Sequence, residues 1–195
     1  MPQFNAGGRS DCIGAARDSS FEPMSSSAIP ATEVVIAADC WQAEASAESV
    51  VLRAIEAAAT MIDADTGDAE LAVMLTDDDG VRALNASYRG IDKPTNVLSF
   101  PAPQPDYQDA CPDSGGAPQM LGDIAIAYQT VRREADDEGK PFAHHLSHLA
   151  VHGFLHLVGY DHETDAEAET MESTERSILA GLGIPDPYAD QDRVS

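Results

Sequence analysis

"PFAHHLSHLAVHGFLHLVGYDH", residues 141–162, decides how this chain is read. It opens on proline, runs through a nearly unbroken apolar segment and reaches Gly159, the proline-first, glycine-last asymmetry of a helix. Its last fifteen residues hold four of the chain's six histidines. His152, His156 and His162 carry the spacing H-x3-H-x5-H. Residues four apart share a helix face, so His152 and His156 can grip one ion between them. Gly159 then lets the chain leave the helix, and His162 arrives as a third nitrogen. One histidine on an apolar helix reads as a core residue satisfied by hydrogen bonds. Two at i and i+4, a glycine turn and a third read as a metal centre. Neutral imidazoles suit zinc, and three protein ligands leave a fourth position open, as catalytic rather than structural sites do. A water there would be acidic near neutral pH.

Working outward, helical and strand patterns alternate. "TEVVIAADC" (32–40), "AELAVMLTDD" (69–78), "PTNVLSFP" (94–101) and "LGDIAIAY" (121–128) read as strands. "SAESVVLRAIEAAATMID" (46–63) spaces Val50, Val51, Ala54, Ile55, Ala58 and Ile62 as an amphipathic helix. "TDDDGVRALNASYRG" (76–90) has caps at its start and Gly90 at its end. "QTVRREADDEG" (129–139) and "TDAEAETMESTERSILAGLG" (164–183) complete the helices. The expected fold is α+β: a small mixed sheet of about four strands packed with helices, the metal site on a late helix and the turn after it. Residues 1–30, rich in Gly, Ser, Pro and Asp, are expected to be a disordered extension, 31–185 a single catalytic domain and 186–195 a tail. The proline-rich stretch 101–120 reads as a long loop.

Composition narrows the function classes. Apolar residues make up 43%, enough for a globular core, and no apolar run approaches the ~20 residues of a membrane span. The N-terminus lacks the pattern of a secretory signal. Cys12, Cys40 and Cys111 lie far apart, which argues against a disulfide framework or a cysteine zinc site and for a cytoplasmic location. Net charge is −23, unfavourable for phosphate contacts over the whole surface. Residues 82–93 are the exception: Arg82, Arg89 and Lys93 stand against Asp92 alone, a surplus of two positive charges. The opposite extreme is 161–175, with seven acids and no base, read as a solvated helix face.

The histidine spacing invites comparison with zinc proteases of pattern H-E-x-x-H-x-x-G-x-x-H, but the glutamate that serves them as base is here Gly153. A peptidase would have its metal and lack its base. Instead, "HGFLHLVGYDH" resembles the signature H-G-x-L-H-L-x-G-Y-D-H of the YbeY family of bacterial endoribonucleases and rRNA maturation factors. "LNASYRGIDKPTNVLSFP" (84–101) and "LGDIAIA" (121–127) are similar to the same family, and the likeness runs from about Glu33 to Leu182. It implies one zinc ion per chain held by His152, His156 and His162, and it matches the family's arginine in "YR" to Arg89. It implies action on single-stranded RNA, maturation of the small-subunit 3′ end and ribosome quality control. Ribosomal RNA, the ribosome or its proteins are the implied partners; neither membrane nor DNA is expected. Asn96 departs from the aspartate the family often places after Pro-Thr; it keeps the turn-forming acceptor.

Within that reading Arg89 would clamp a phosphate through paired hydrogen bonds, and with Lys93 would wall an RNA cleft. His148, one turn before His152, would support a ligand, carry a proton or simply pack. Asp161 would orient a ligand or cap the turn. Ser99 would offer a hydroxyl to phosphate. His144 and His145 read as ordinary helix-start residues, and Trp41 and Tyr107 as too isolated for a base-stacking platform. No strong general base is evident, so attack by the substrate's 2′-hydroxyl and by hydroxide both remain open. Two other readings stand beside the nuclease: a zinc hydrolase of other substrates, and a ribosome-assembly adaptor with a structural zinc, which suits the acidity.

Overall fold

The structure, a computed structural model, describes residues 29–62, 66, 69–103 and 119–189. Most of the expected N-terminal extension, positions 104–118 of the proline-rich loop, Tyr107, Cys12, Cys111 and the last six residues of the tail lie outside the described residues. Among the described residues the strands and α-helices run β1 (Ala31–Ile36), α1 (Ala47–Met61), β2 (Ala69–Thr76), α2 (Asp78–Arg89), β3 (Val97–Pro101), β4 (Gln119–Ala127), α3 (Tyr128–Asp137), α4 (Phe142–Leu157) and α5 (Asp165–Gly181). Their order and type match the expected α+β fold. The first strand ends earlier than its β-rich sequence suggests. The chain turns into a 3-10 segment, Asp39–Ala43, because Trp41 drops into the core. There its indole N–H donates to the Thr76 carbonyl at 2.8 Å, and its ring packs edge-on against Tyr128.

The sheet has strand order β1-β2-β4-β3. β1, β2 and β4 run parallel and β3 is antiparallel to β4, so the sheet is mixed. The pleat sends alternate residues to opposite faces. Leu71, Val73 and Leu75 of β2, with Ile124 and Ile126 of β4, meet α1, α4 and α5 in the main core. Ala125 and Ala127 of β4 and Leu98 of β3 turn the other way and pack on Val81 of α2. Ser99, between Leu98 and Phe100, therefore faces α4.

Helix α4 is the centre of the assembly. It packs on α1, α3, α5, β3 and β4 at once, and eleven of its sixteen residues are buried. A helix enclosed on most sides needs apolar residues nearly all round, which explains its near-continuous apolar sequence. Where it crosses the sheet it needs a small residue. A Cβ on Gly153 would lie 3.0 and 3.1 Å from the Ile124 side chain and 3.2 Å from Ser99 Oγ. Gly153 is thus the point of close contact between helix and sheet, as well as the absent base. Helix α5 starts with a full capping box: the Thr164 hydroxyl accepts from the Glu167 N–H, and the Glu167 carboxylate accepts from the Thr164 N–H. Its side chains Met171, Glu175, Ile178 and Leu179 turn inward toward the core.

Candidate metal centre

His152 and His156 sit one turn apart near the end of α4, half-buried. Gly159 then adopts φ 93°, a left-handed conformation that a residue with a side chain rarely takes. The reversal carries His162 back over the helix end. One ring nitrogen from each of the three histidines lies within 4.8 Å of the others.

The proton positions on two rings follow from their partners. Nδ1 of His156 is 3.0 Å from the Tyr160 carbonyl, which only accepts, so Nδ1 carries the proton. Nδ1 of His152 is 2.8 Å from Glu175 Oε1, a carboxylate, so it donates as well. Each neutral ring then has its lone pair on Nε2, and these two atoms face one another at 3.2 Å. With both rings neutral, two lone pairs meet at that distance, and a shared proton or a metal ion relieves their repulsion. A metal held by Nε2 of His152 and His156 and a nitrogen of His162 fits this donor set, and zinc prefers such ligands. Burial, reinforced by His152 and His162, lowers the pKa of His156 and so favours the neutral, ligating form of its ring.

Glu175 is the residue that the sequence reading missed. The acidic run 161–175 was expected to be a solvated face, yet Glu175 is fully buried, the sole charged side chain so placed among the described residues. Its Oε1 accepts from His152. Its Oε2 lies 3.0 Å from His148 Nε2 and also accepts from the Tyr188 hydroxyl. Burial pushes its pKa up, but the hydrogen bonds from His148 and His152, the field of His148 and the Tyr188 hydroxyl outweigh this and bring it down to about 2. Tyr188 is pushed up in turn, by burial and by the carboxylate it serves. The available signal was positional. Met171, Glu175, Ile178 and Leu179 follow a helical stripe, and an acid on an apolar stripe has a partner to meet.

His145 departs from expectation in the same way. It is buried rather than an ordinary helix-start residue, and its Nε2 is 2.8 Å from Glu134 Oε2. That oxygen also accepts from the Asn96 amide at 3.1 Å, while Asn96 Oδ1 accepts from the Val97 N–H. An aspartate at position 96 could make the second bond but not the first. Along α4 the histidines therefore meet carboxylates from two flanking helices, Glu134 of α3 and Glu175 of α5.

The three nitrogens open into a cleft of about 580 Å³. Arg89, Asn96 and Ser99 line one side; His152, His156, Asp161, His162 and Glu163 line the other. Arg89 ends α2, and Gly90 at φ 71° turns the chain away after it. Among the described residues Arg89 is the only lysine or arginine lining the cleft, and it makes no ion pair. Its neighbour Arg82 is instead taken up by Asp92 at 2.6 Å. Lys93 is exposed and does not line the cleft. Ser99 lines it, with its hydroxyl donating to the Gly153 carbonyl at 3.2 Å. Asp161 caps the turn by accepting from the His162 N–H at 2.8 Å. His148 lies behind the centre, joined to His152 through Glu175. Trp41 is buried in the core.

The family model described as "Endoribonuclease YbeY" matches residues 36–183. The chain belongs to the YbeY family. Endoribonuclease YbeY of Rhodopseudomonas palustris strain BisB5 is 98% identical over the full length of both chains. The proteins of that name from strains HaA2 and CGA009 are 83% and 76% identical, again over the full length of both. Membership in YbeY agrees with the expected enzyme class and with the span of the likeness read from the motifs. Among the described residues of this YbeY chain, no helix is long and apolar enough to cross a membrane.

Proposed function

We propose that this chain is a zinc-dependent, single-strand-specific endoribonuclease that matures the 3′ end of small-subunit ribosomal RNA in the cytoplasm and serves ribosome quality control. The observation that carries the reading is the convergence of three imidazole nitrogens in one cleft with an arginine that makes no ion pair among the described residues. His152, His156 and His162 hold one zinc ion. When bound, the ion supplies Lewis-acid polarisation of the phosphodiester and acidifies water.

The protein's own groups do the rest. Arg89 presents a planar fork of donors to the phosphate and adds positive charge where negative charge develops. Ser99 lines the cleft with its proton on the Gly153 carbonyl, and it donates to a phosphate oxygen only by turning from that carbonyl. His148 acts from behind His152 rather than on the substrate. Asp161 shapes the turn that delivers His162. Lys93 contacts RNA beyond the cleft rather than at the reacting phosphate.

One observation favours help from a partner. Asp161 and Glu163 line the same cleft as Arg89, and the whole chain carries −23. Such a surface weakens the binding of naked RNA outside the cleft, whereas it attracts basic ribosomal proteins. The ribosome is therefore both the source of substrate and the surface against which the acidic exterior works.

The test is cleavage of a single-stranded RNA spanning a small-subunit 3′ precursor by zinc-loaded protein, beside His156→Ala. Cleavage by the first and none by the second is expected. Equal cleavage by both would refute a metal-dependent nuclease. Products ending in a 2′,3′-cyclic phosphate would assign attack to the substrate's own hydroxyl.

A further inference from the structure

We propose that Glu175 is a positioning residue for the three-histidine centre: it holds the Nδ1 proton of His152 and so aims Nε2 of that ring at His156. The inference rests on the metal-centre reading but concerns a different residue, on a different helix, with no place in the ligand set.

A neutral imidazole places its proton on either nitrogen, and on a half-buried helix face little in His152 itself selects one. The partner on the far side makes the selection. For His156 the partner is local, the Tyr160 carbonyl four residues on. For His152 it is Glu175 Oε1, twenty-three residues away on α5, at 2.8 Å. A ring whose proton sat on Nε2 would point N–H at the metal position and bind nothing there. Glu175 removes that form by accepting at Nδ1 only.

The carboxylate is itself held. Oε2 receives His148 Nε2 at 3.0 Å and the Tyr188 hydroxyl, so neither oxygen of the buried group is left without a donor. Tyr188 is fixed in turn: the Arg176 guanidinium lies 4.9 Å over its ring, and Arg176 also meets Asp186 at 3.4 Å. The Lys140 ammonium donates to the Pro187 carbonyl at 2.8 Å. The segment after α5, read from sequence as the start of a tail, thus closes the support behind His152. Partners of this kind are worth about 10- to 100-fold in metal affinity in other zinc sites.

The test uses the full chain with Glu175→Gln and Glu175→Ala. Zinc affinity is measured by competition with a chromophoric chelator. The His152 tautomer is read in metal-free protein from imidazole nitrogen chemical shifts. Glutamine keeps an acceptor without the charge, so affinity is expected to fall by about tenfold, and with alanine by about 100-fold. The His152 ring should be held as the Nδ1–H form in the wild type and become a mixture in the alanine variant. Circular dichroism identifies a variant that fails to fold; Tyr188→Phe, which removes one donor and no volume to speak of, then takes its place, with a smaller loss of affinity in the same direction. Unchanged affinity and tautomer in folded variants would overturn the positioning role and leave the metal centre intact. Wild-type protein that binds no zinc would remove the metal centre, and the positioning role with it.

Discussion

Nε2 of His152 lies 3.2 Å from Nε2 of His156, and the Nδ1 atom of each ring is already engaged, on Glu175 and on the Tyr160 carbonyl. Two lone pairs face each other and a positive ion relieves the repulsion. Zinc is therefore expected to stabilise the fold. At a free concentration about one hundred times Kd, the gain is about 2.7 kcal/mol. Thermal melts with zinc and with chelator measure it, and His156→Ala should abolish the difference. A wild-type midpoint indifferent to zinc would contradict the centre.

Arg89 ends α2, makes no ion pair among the described residues and lines the cleft that holds the histidines. Its loss should leave zinc affinity unchanged and slow cleavage. Removing one such stabilising group from a developing charge costs about 10²- to 10³-fold in kcat. Arg89→Lys should recover part of the loss, since an ammonium keeps the charge without the paired geometry. Cleavage at the wild-type rate by Arg89→Ala would take it out of the chemistry.

Gly153 allows α4 to approach the sheet. In Gly153→Ala the new Cβ meets the fully buried Ile124 at 3.0 Å. Overpacking costs about 1–3 kcal/mol, and the better helix propensity of alanine returns about 1. A net loss on the order of 1 kcal/mol is expected in denaturant titrations. A variant at least as stable as the parent would show that the sheet yields at this point.

Glu134 shows the effect of pH on stability. Burial raises its pKa, but the hydrogen bonds from His145 and Asn96, together with the charges of His145 and Arg133, bring it below the usual carboxylate value. A carboxylate lowered by folding stabilises fully above its unfolded pKa and loses that contribution as pH falls through the folded value. Stability should decline below about pH 4.5, with a shallower slope in Glu134→Gln. Denaturant midpoints taken between neutral and acid pH test this; identical slopes would show that the carboxylate contributes nothing.

Much of this architecture was legible along the chain. The spacing of His152, His156 and His162 works through one helical turn and one glycine reversal, both local geometry, so sequence alone could bring the three together. The same holds for Asp77 capping α2 through the Gly80 N–H, for Gly90 ending it, and for the alternation that turns Ser99 toward α4. These relationships span a few residues, and backbone periodicity determines them.

What only the tertiary structure decided lies across longer separations. Glu175 reads as one more acid in a solvated run, and becomes the partner of His152 because α5 docks on α4 with that face inward. His145 reads as a helix-start residue until α3 brings Glu134 to it. Lys93 and Arg89 look alike in a basic window, yet only Arg89 reaches the cleft. The physical reason is common to all three. Charge and hydrophobicity along a chain specify which face of an element is buried on average, whereas the partner of a single buried polar group depends on which elements pack together and at what depth.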